Sequence, residues 1–391
     1  MACDNPATGA RTSHYYIQEV DCGVTPTSPA WTPLRYTSGN MQLSKDSLQS
    51  SELDGSREVA DLRLGSNQTA GDISVELSYG AYDDLLEAAL GGTWASGLAI
   101  AAVDVTVLAS AKTFTRAAGS YITDGVAVGD VIQFEDLLLG TNANPYLVTA
   151  VTATVVTCSQ AVGLVDEVSV TTDYSTGDKL EVGSTRRTYS ILTHFADADA
   201  GAGEYHVTRG VEISGYSFDV AVNALVTGTL NTIGRTYAPD EGLPAGSTFP
   251  AAIKTEPYAS VDGRIIEAGA LLAFVTGLTN TLDNGASAQF EIGSNSTSFI
   301  EQGRANSTLS LSTFFENSTL LSKFVNETET SVVLILDGTD GALSFSYNRV
   351  VYTTGAPDVA GEGSITQSLD AQALAGTSGE SSLVVQRLAT P

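Results

Sequence analysis

Apolar and polar residues alternate along most of this chain. Ile73, Val75, Leu77 and Tyr79 fall on every second position, which sets one face of a strand on a core. The period then changes. Tyr82, Leu85, Leu86, Ala89 and Leu90 follow the stripe of a short amphipathic helix, ended by Gly91-Gly92. From 94 to 184, short alternating runs such as Val103/Val105/Val107, Ile132/Phe134, Val168/Val170 and Leu180/Val182 predict a small all-β block with Gly-Asp turns. Residues 188–195 and 204–213 predict a hairpin. Tyr205, Val207, Val211 and Ile213 occupy odd positions there, and after Gly215 the apolar set moves to Tyr216, Phe218, Val220 and Val222. A change of parity at glycine signals a bulge or a corner between sheets.

Other stretches lack periodicity. Residues 1–33, stiffened by Pro26, Pro29 and Pro33, are expected to form an arm ordered by a partner. The polar stretch 44–71 carries Glu52, Asp54, Arg57, Glu58, Asp61 and Arg63, and a loop this long is usually functional. Residues 234–270 read as a linker and 376–391 as a polar tail.

Two parts of the chain look alike. Asp219 to Leu230 aligns without gaps on Asp358 to Leu369, and Arg209, Val211 and Gly215 match Arg349, Val351 and Gly355 at an offset of 140 that then falls by one. Leu85-Leu86 corresponds to Leu320-Leu321, and Gly39 to Gly277. The chain therefore divides into a first module, 34–93 plus 185–233, and a second, 271–375. The 94–184 block is inserted after the first module's helix. Tyr82, Leu85, Leu86 and Leu90, with Leu320 and Leu321, are expected to pack the two helices. Two homologous modules in one chain suit neighbouring, nearly equivalent places in a closed ring, where contacts are heterologous.

Composition narrows the chemistry. The net charge of −27 excludes a grip on duplex DNA through counterion release. Three cysteines, Cys3, Cys22 and Cys158, make neither a disulfide framework nor a four-ligand zinc site. The first residues show no secretory pattern, and no apolar run is long enough for a membrane helix. A nucleophile elbow, a P-loop and a His-Glu-x-x-His motif are all missing. His194 and His206, equidistant from the centre of a turn, are expected to face each other as a cross-strand pair. Asp337-Gly-Thr-Asp-Gly341 resembles the start of a calcium loop without its closing ligands and reads better as a hairpin turn. Asp83-Asp84 suits the positive end of the helix that follows. No catalytic residue, cofactor or metal is expected. A secreted β-sandwich adhesin or surface-layer protein is the rival class.

The segments Leu34-Arg-Tyr-Thr-Ser-Gly39, Glu58-Val-Ala-Asp-Leu-Arg63 and Gly71 to Gly92 resemble the first half of the major tail tube protein of a long-tailed bacteriophage. Arg187 to Phe195, Tyr205 to Val211 and Val220 to Leu230 resemble its second half, and the insertion is similar to a domain some members carry. The resemblance implies a mostly β fold: two tail-tube-like β-sandwich or half-barrel modules, each with one short α-helix, plus the inserted all-β domain on the outside. It further implies a non-enzymatic subunit of the virion tail, made in the bacterial host cytoplasm. Homotrimeric rings with pseudo-six-fold symmetry, or hexameric rings, stack around an acidic channel that passes double-stranded DNA without specific binding. The 44–71 stretch would contact adjacent rings. Tail terminator, tape measure and tail tip proteins are the other implied partners, with no membrane.

Overall fold

The computed structural model describes residues 6–52, 58, 59, 61–159, 164–199, 203–359, 361–377 and 379–390. The fold is mostly β, with a small closed six-stranded barrel beside a large antiparallel assembly.

One run of strands crosses both sequence repeats. Gln42–Gln49 and Ser38–Gly39 pair with Leu62–Glu76, which pairs with Thr227–Gly234. That strand pairs with the second half of Glu204–Ala221, which pairs in turn with Val275–Asp283. Asn306–Phe314 and Thr366–Ala373 complete the run. The strand Glu204–Ala221 serves two layers. Its first half pairs with Tyr189–Phe195, and the register against Thr227–Gly234 shifts between Ile213 and Gly215, where the apolar parity changes. A bulge there turns the chain from the outer layer into the continuous sheet. In the second repeat, Gly341–Tyr352 pairs with Thr330–Gly338 and then crosses to Thr366–Ala373. One hydrophobic core lies between the layers of both repeats, joining Leu85, Leu86, Tyr216, Phe218 and Leu230 to Leu311, Phe345 and Leu369.

The barrel is built from Ala99–Leu108, Thr113–Arg116, Val131–Phe134, Tyr146–Val151, Val155–Cys158 and Glu167–Thr176. Phe114 and Phe134 stack at 4.2 Å in its core. Buried Arg116 reaches Asp124 and donates to the Tyr174 hydroxyl at 3.2 Å, and the Tyr174 hydroxyl donates to Asp124 at 2.7 Å. Those two partners hold the Asp124 carboxyl below its usual range, the tyrosine hydrogen bond first. The barrel docks on the second repeat. Val131 and Leu147 join Ile266, Val333, Ile335, Ala342 and Leu388 in a separate apolar cluster, and Gln386 accepts from the Val131 amide at 2.9 Å. On Thr330–Gly338, Val332, Leu334 and Leu336 face the main core while Val333 and Ile335 face the barrel. The barrel therefore covers the outward face of the outer layer.

Three segments expected to lack regular structure carry strands. Thr12–Gln18 pairs with Tyr189–Phe195. Trp31 is buried with Leu192 and Val207, and its indole donates to Ser247 at 2.9 Å. In the stretch read as a linker, Tyr258 is buried and Gly263–Glu267 pairs with Thr330–Gly338. In the stretch read as a tail, Val384–Ala389 pairs with both Asp178–Glu181 and Gly341–Tyr352. Proline and glycine deny these segments a long periodic signal, yet they do not prevent burial of single large side chains. The 44–71 stretch, read as a loop, is mostly the two-stranded hairpin described above.

Candidate functional site

The continuous sheet has two unlike faces. Residues directly opposite one another in an antiparallel pair share a face, so the registers fix its composition. One face carries Ile73, Val75, Phe218, Leu230, Leu278, Leu282, Leu309, Leu311 and Leu369 into the core. The other carries Asp72, Ser74 and Glu76, then Thr227, Thr229 and Asn231, then Ser217 and Asp219. It continues through Thr279, Thr281 and Asp283, Thr308, Ser310 and Ser312, and Ser368, Asp370 and Gln372. Among the described residues of these strands, no lysine or arginine stands on this face between Asp72 and Asp370, while five carboxylates do. The hydroxyls and amides tie the strands together. Thr279 donates to Asp219 at 2.7 Å, Asn231 to Asp72 at 2.9 Å and Ser310 to Asp370 at 2.8 Å. The result is a hydroxyl-rich anionic surface whose fixed charges repel phosphate and several of whose neutral groups are already engaged with those carboxylates.

At one end, the hairpin of Gln42–Gln49 and Leu62–Glu76 leaves the body of the sheet. Every residue of Gln42–Gln49 is exposed, Leu48 among them, as are Leu62 and Leu64 on the partner strand. Arg63 lies opposite Leu48, and Asp61 accepts at its carbonyl from the Ser50 amide at 3.0 Å. Glu52 and Glu58 are exposed nearby. Asp54 and Arg57 lie outside the described residues. The base is held where the Asn67 amide donates to the Asn295 carbonyl at 2.7 Å.

The helix Asp83–Leu90 buries Leu85, Leu86 and Leu90, with Tyr82 buried at its start. The Tyr82 hydroxyl donates to the Arg35 carbonyl at 3.1 Å. Arg387, from the C-terminal strand, pairs with Asp83 and, at 3.0 Å, with Asp178, and lies 4.7 Å from the centre of the Trp94 ring. Burial raises the Asp83 pKa, against the pull of Arg387. In the second helix, Thr319–Val325, Leu320 and Leu321 are only half-buried.

The histidine pair and the calcium-like motif resolve differently. The hairpin register places His194 opposite Tyr205, stacked at 4.3 Å, and His206 opposite Thr193. They do not face each other because the register is offset by one residue from the symmetric centre of the turn. His206 instead meets Tyr237 and, at 2.8 Å, Glu204. Gly338 pairs with Gly341, so the calcium-like motif closes a hairpin. No cluster of metal-ligating side chains is found among the described residues, and no described helix is long and apolar enough to cross a membrane.

The sequence had no signal for the Arg387 clamp, because its partners lie far apart in the chain. The anionic face was legible only as a set of polar alternates whose common side the registers reveal.

No curated protein matches the chain. Among solved structures, a chain in the cryo-EM structure of the anti-feeding prophage baseplate, six-fold symmetrised, is 16% identical, covering 33% of this chain and 91% of that chain at a TM-score of 0.23. The family described as phage tail tube protein matches residues 9–373. That match takes in both repeats, the inserted barrel and the anionic sheet, and the chain belongs to the phage tail tube protein family, as a structural component of the virion tail.

Proposed function

We propose that this chain forms rings of three subunits, six modules in pseudo-six-fold array, which stack into a tube whose channel wall is the hydroxyl-rich anionic face. The observation that carries the reading is that single face, continuous across both modules and free of basic side chains in its described strands. Duplex DNA is a dense polyanion. A wall bearing Asp72, Glu76, Asp219, Asp283 and Asp370 gives it nothing to pair with, so DNA passes without being held. The subunit acts by assembly rather than catalysis.

The exposed hairpin at 42–76 supports a contact between rings. A two-stranded hairpin is marginal alone in water, and another molecule would cover the exposed Leu48, Leu62 and Leu64. Glu52, Asp54, Arg57, Glu58, Asp61 and Arg63 belong to this contact. The barrel, seated behind the outer layer, stands on the outside of the tube. Tail terminator, tape measure and tail tip proteins complete the partners.

Negative-stain electron microscopy of the purified chain tests the reading. Hollow tubes of uniform diameter are expected. A chain that stays monomeric or forms flat arrays at high concentration rejects it. Replacing 48–64 by a short Gly/Ser linker should leave folded subunits that do not stack; normal tubes would remove the hairpin from the contact.

A further inference from the structure

The two modules agree residue by residue in how their strands pair. Asp219 opposite Thr227 recurs as Asp358 opposite Thr366, and Glu212 opposite Ile233 recurs as Val351 opposite Gln372, each shifted by 139 on both strands. Leu230 opposite Ile73 recurs as Leu369 opposite Leu311, and Gln42 opposite Ala70 as Thr281 opposite Thr308. It follows that 215–221 corresponds to 354–360, and 277–283 to 38–44. The first of each pair are joined inside the chain: Ser217 lies opposite Thr281, their hydroxyls 3.2 Å apart, and Asp219 lies opposite Thr279. Their counterparts are paired along one side only among the described residues, Pro357–Asp358 with 366–367 and the 38–49 strands with Leu62–Glu76.

Burial points the same way. Val220 and Leu282 at the internal junction are 7% and 1% exposed, while their counterparts Val359 and Leu43 are 68% and 37% exposed. The open edges carry apolar positions that the junction covers.

Resting on the tube reading, we infer that the 354–359 edge of one subunit joins the 38–44 edge of a second copy, antiparallel and in the register of the internal junction. Ala356 then lies opposite Gln42 of the partner subunit, Asp358 opposite Asn40 of the partner subunit and Pro357 opposite Met41 of the partner subunit. The internal junction thus serves as the template for the seam between subunits.

The seam lacks one backbone donor that its template has. Val222 donates to the Thr276 carbonyl at 3.4 Å, and the Ser214 carbonyl accepts from Asn284 at 2.9 Å, so even-numbered residues of this strand aim their backbone groups at the neighbouring strand. Phe218 is one of them, and its counterpart is Pro357, which has no N–H. Proline on an open edge blunts unwanted strand addition, and here it removes one donor from the intersubunit ladder.

Single-cysteine subunits test the register. In a background with Cys3 and Cys22 changed to Ser, Ala356→Cys and Gln42→Cys subunits are mixed, assembled and oxidised. Ala356 and Gln42 form a non-hydrogen-bonded pair, close enough for a disulfide, whereas residues two positions along lie about 7–8 Å away and are out of reach. The mixture is expected to give a covalent dimer on a non-reducing gel, about tenfold more than Ala356→Cys mixed with Asn40→Cys or with Ser44→Cys. Neither variant alone should dimerise. Ser217→Cys with Thr281→Cys calibrates the yield within one chain, and Asp358→Cys with Asn40→Cys replaces the first pair if either variant misfolds. Tubes that cross-link best at a flanking position, or not at all, overturn the seam and leave the tube reading standing. A parent chain that forms no tubes overturns both.

Discussion

The first module's helix and the second module's helix correspond in sequence and differ in how they are held. Asp83–Leu90 is buried along its apolar stripe. Asn284, reaching over from the second module, donates to its Ala89 carbonyl at 2.7 Å, and Arg387 and Trp94 close its start. Thr319–Val325 buries no residue fully; Leu320 and Phe324 only lean on the core. The first helix is contacted by the second module through Asn284, whereas the second helix has no such contact from the first module among the described residues. Similar sequences therefore reach unequal burial because one helix lies at the junction between modules and the other, among the described residues, does not.

The largest test of this contrast is Leu86→Ala, which opens a cavity in a closed site and is expected to cost roughly 3 kcal/mol in urea unfolding. Acid should also act on the first module's side, through the N-terminal strand that carries His14 and pairs with Tyr189–Phe195; the second module contains no histidine. His14 is buried against Tyr36, and burial lowers its pKa from 6.5 to about 4. The unfolded chain binds that proton more readily, so this stability is complete above pH 6.5, falls as pH drops and is gone below about 4. The loss is roughly 3 kcal/mol, and a His14→Phe chain should lack this part of the pH dependence of its urea midpoint. Arg387→Met leaves Asp83 and Asp178 without their shared cation and is expected to cost about 2 kcal/mol at pH 7. The deficit should shrink toward pH 4 as Asp83 takes up a proton; a deficit independent of pH would mean the arginine acts only by packing. Pro357→Phe restores the donor that Phe218 supplies in the first module. One hydrogen bond of about 1 kcal/mol predicts tubes at about fivefold lower critical concentration, measured by light scattering. Leu321→Ala should cost under about 1 kcal/mol in the unassembled chain; a loss equal to that of Leu86→Ala would erase the contrast between the helices.

Periodicity made the strands, the first helix and the corner at Gly215 legible, because each buries one face and so imprints a period. The likeness of 219–230 to 358–369 was visible too, but the offset upstream of it was not. Sequence matching set the upstream offset at 140, whereas pairing registers hold 139 on both sides of the bulge, since sequence identity cannot say which residue a bulge leaves unpaired. The strands at Thr12–Gln18 and Val384–Ala389 were missed, as was the buried turn around Tyr258. Each owes its place in part to a partner more than a hundred residues away, Tyr189–Phe195, Asp178–Glu181 and Leu77 respectively, and a local window contains no trace of it. Of the proposed site, the polar alternates of the sheet were visible one strand at a time. Their union into one anionic face depends on which strands neighbour one another, and that is a property of topology.

The barrel has a practical consequence for anyone trimming this protein. It enters the chain within the first module yet rests on the second, roofing Val333 and Ile335. Excising it would unroof an oily patch on a module whose own sequence had not been touched. A shortened subunit that clumps would then report that bared patch, and the failure would be misread as proof that the appendage has a task of its own.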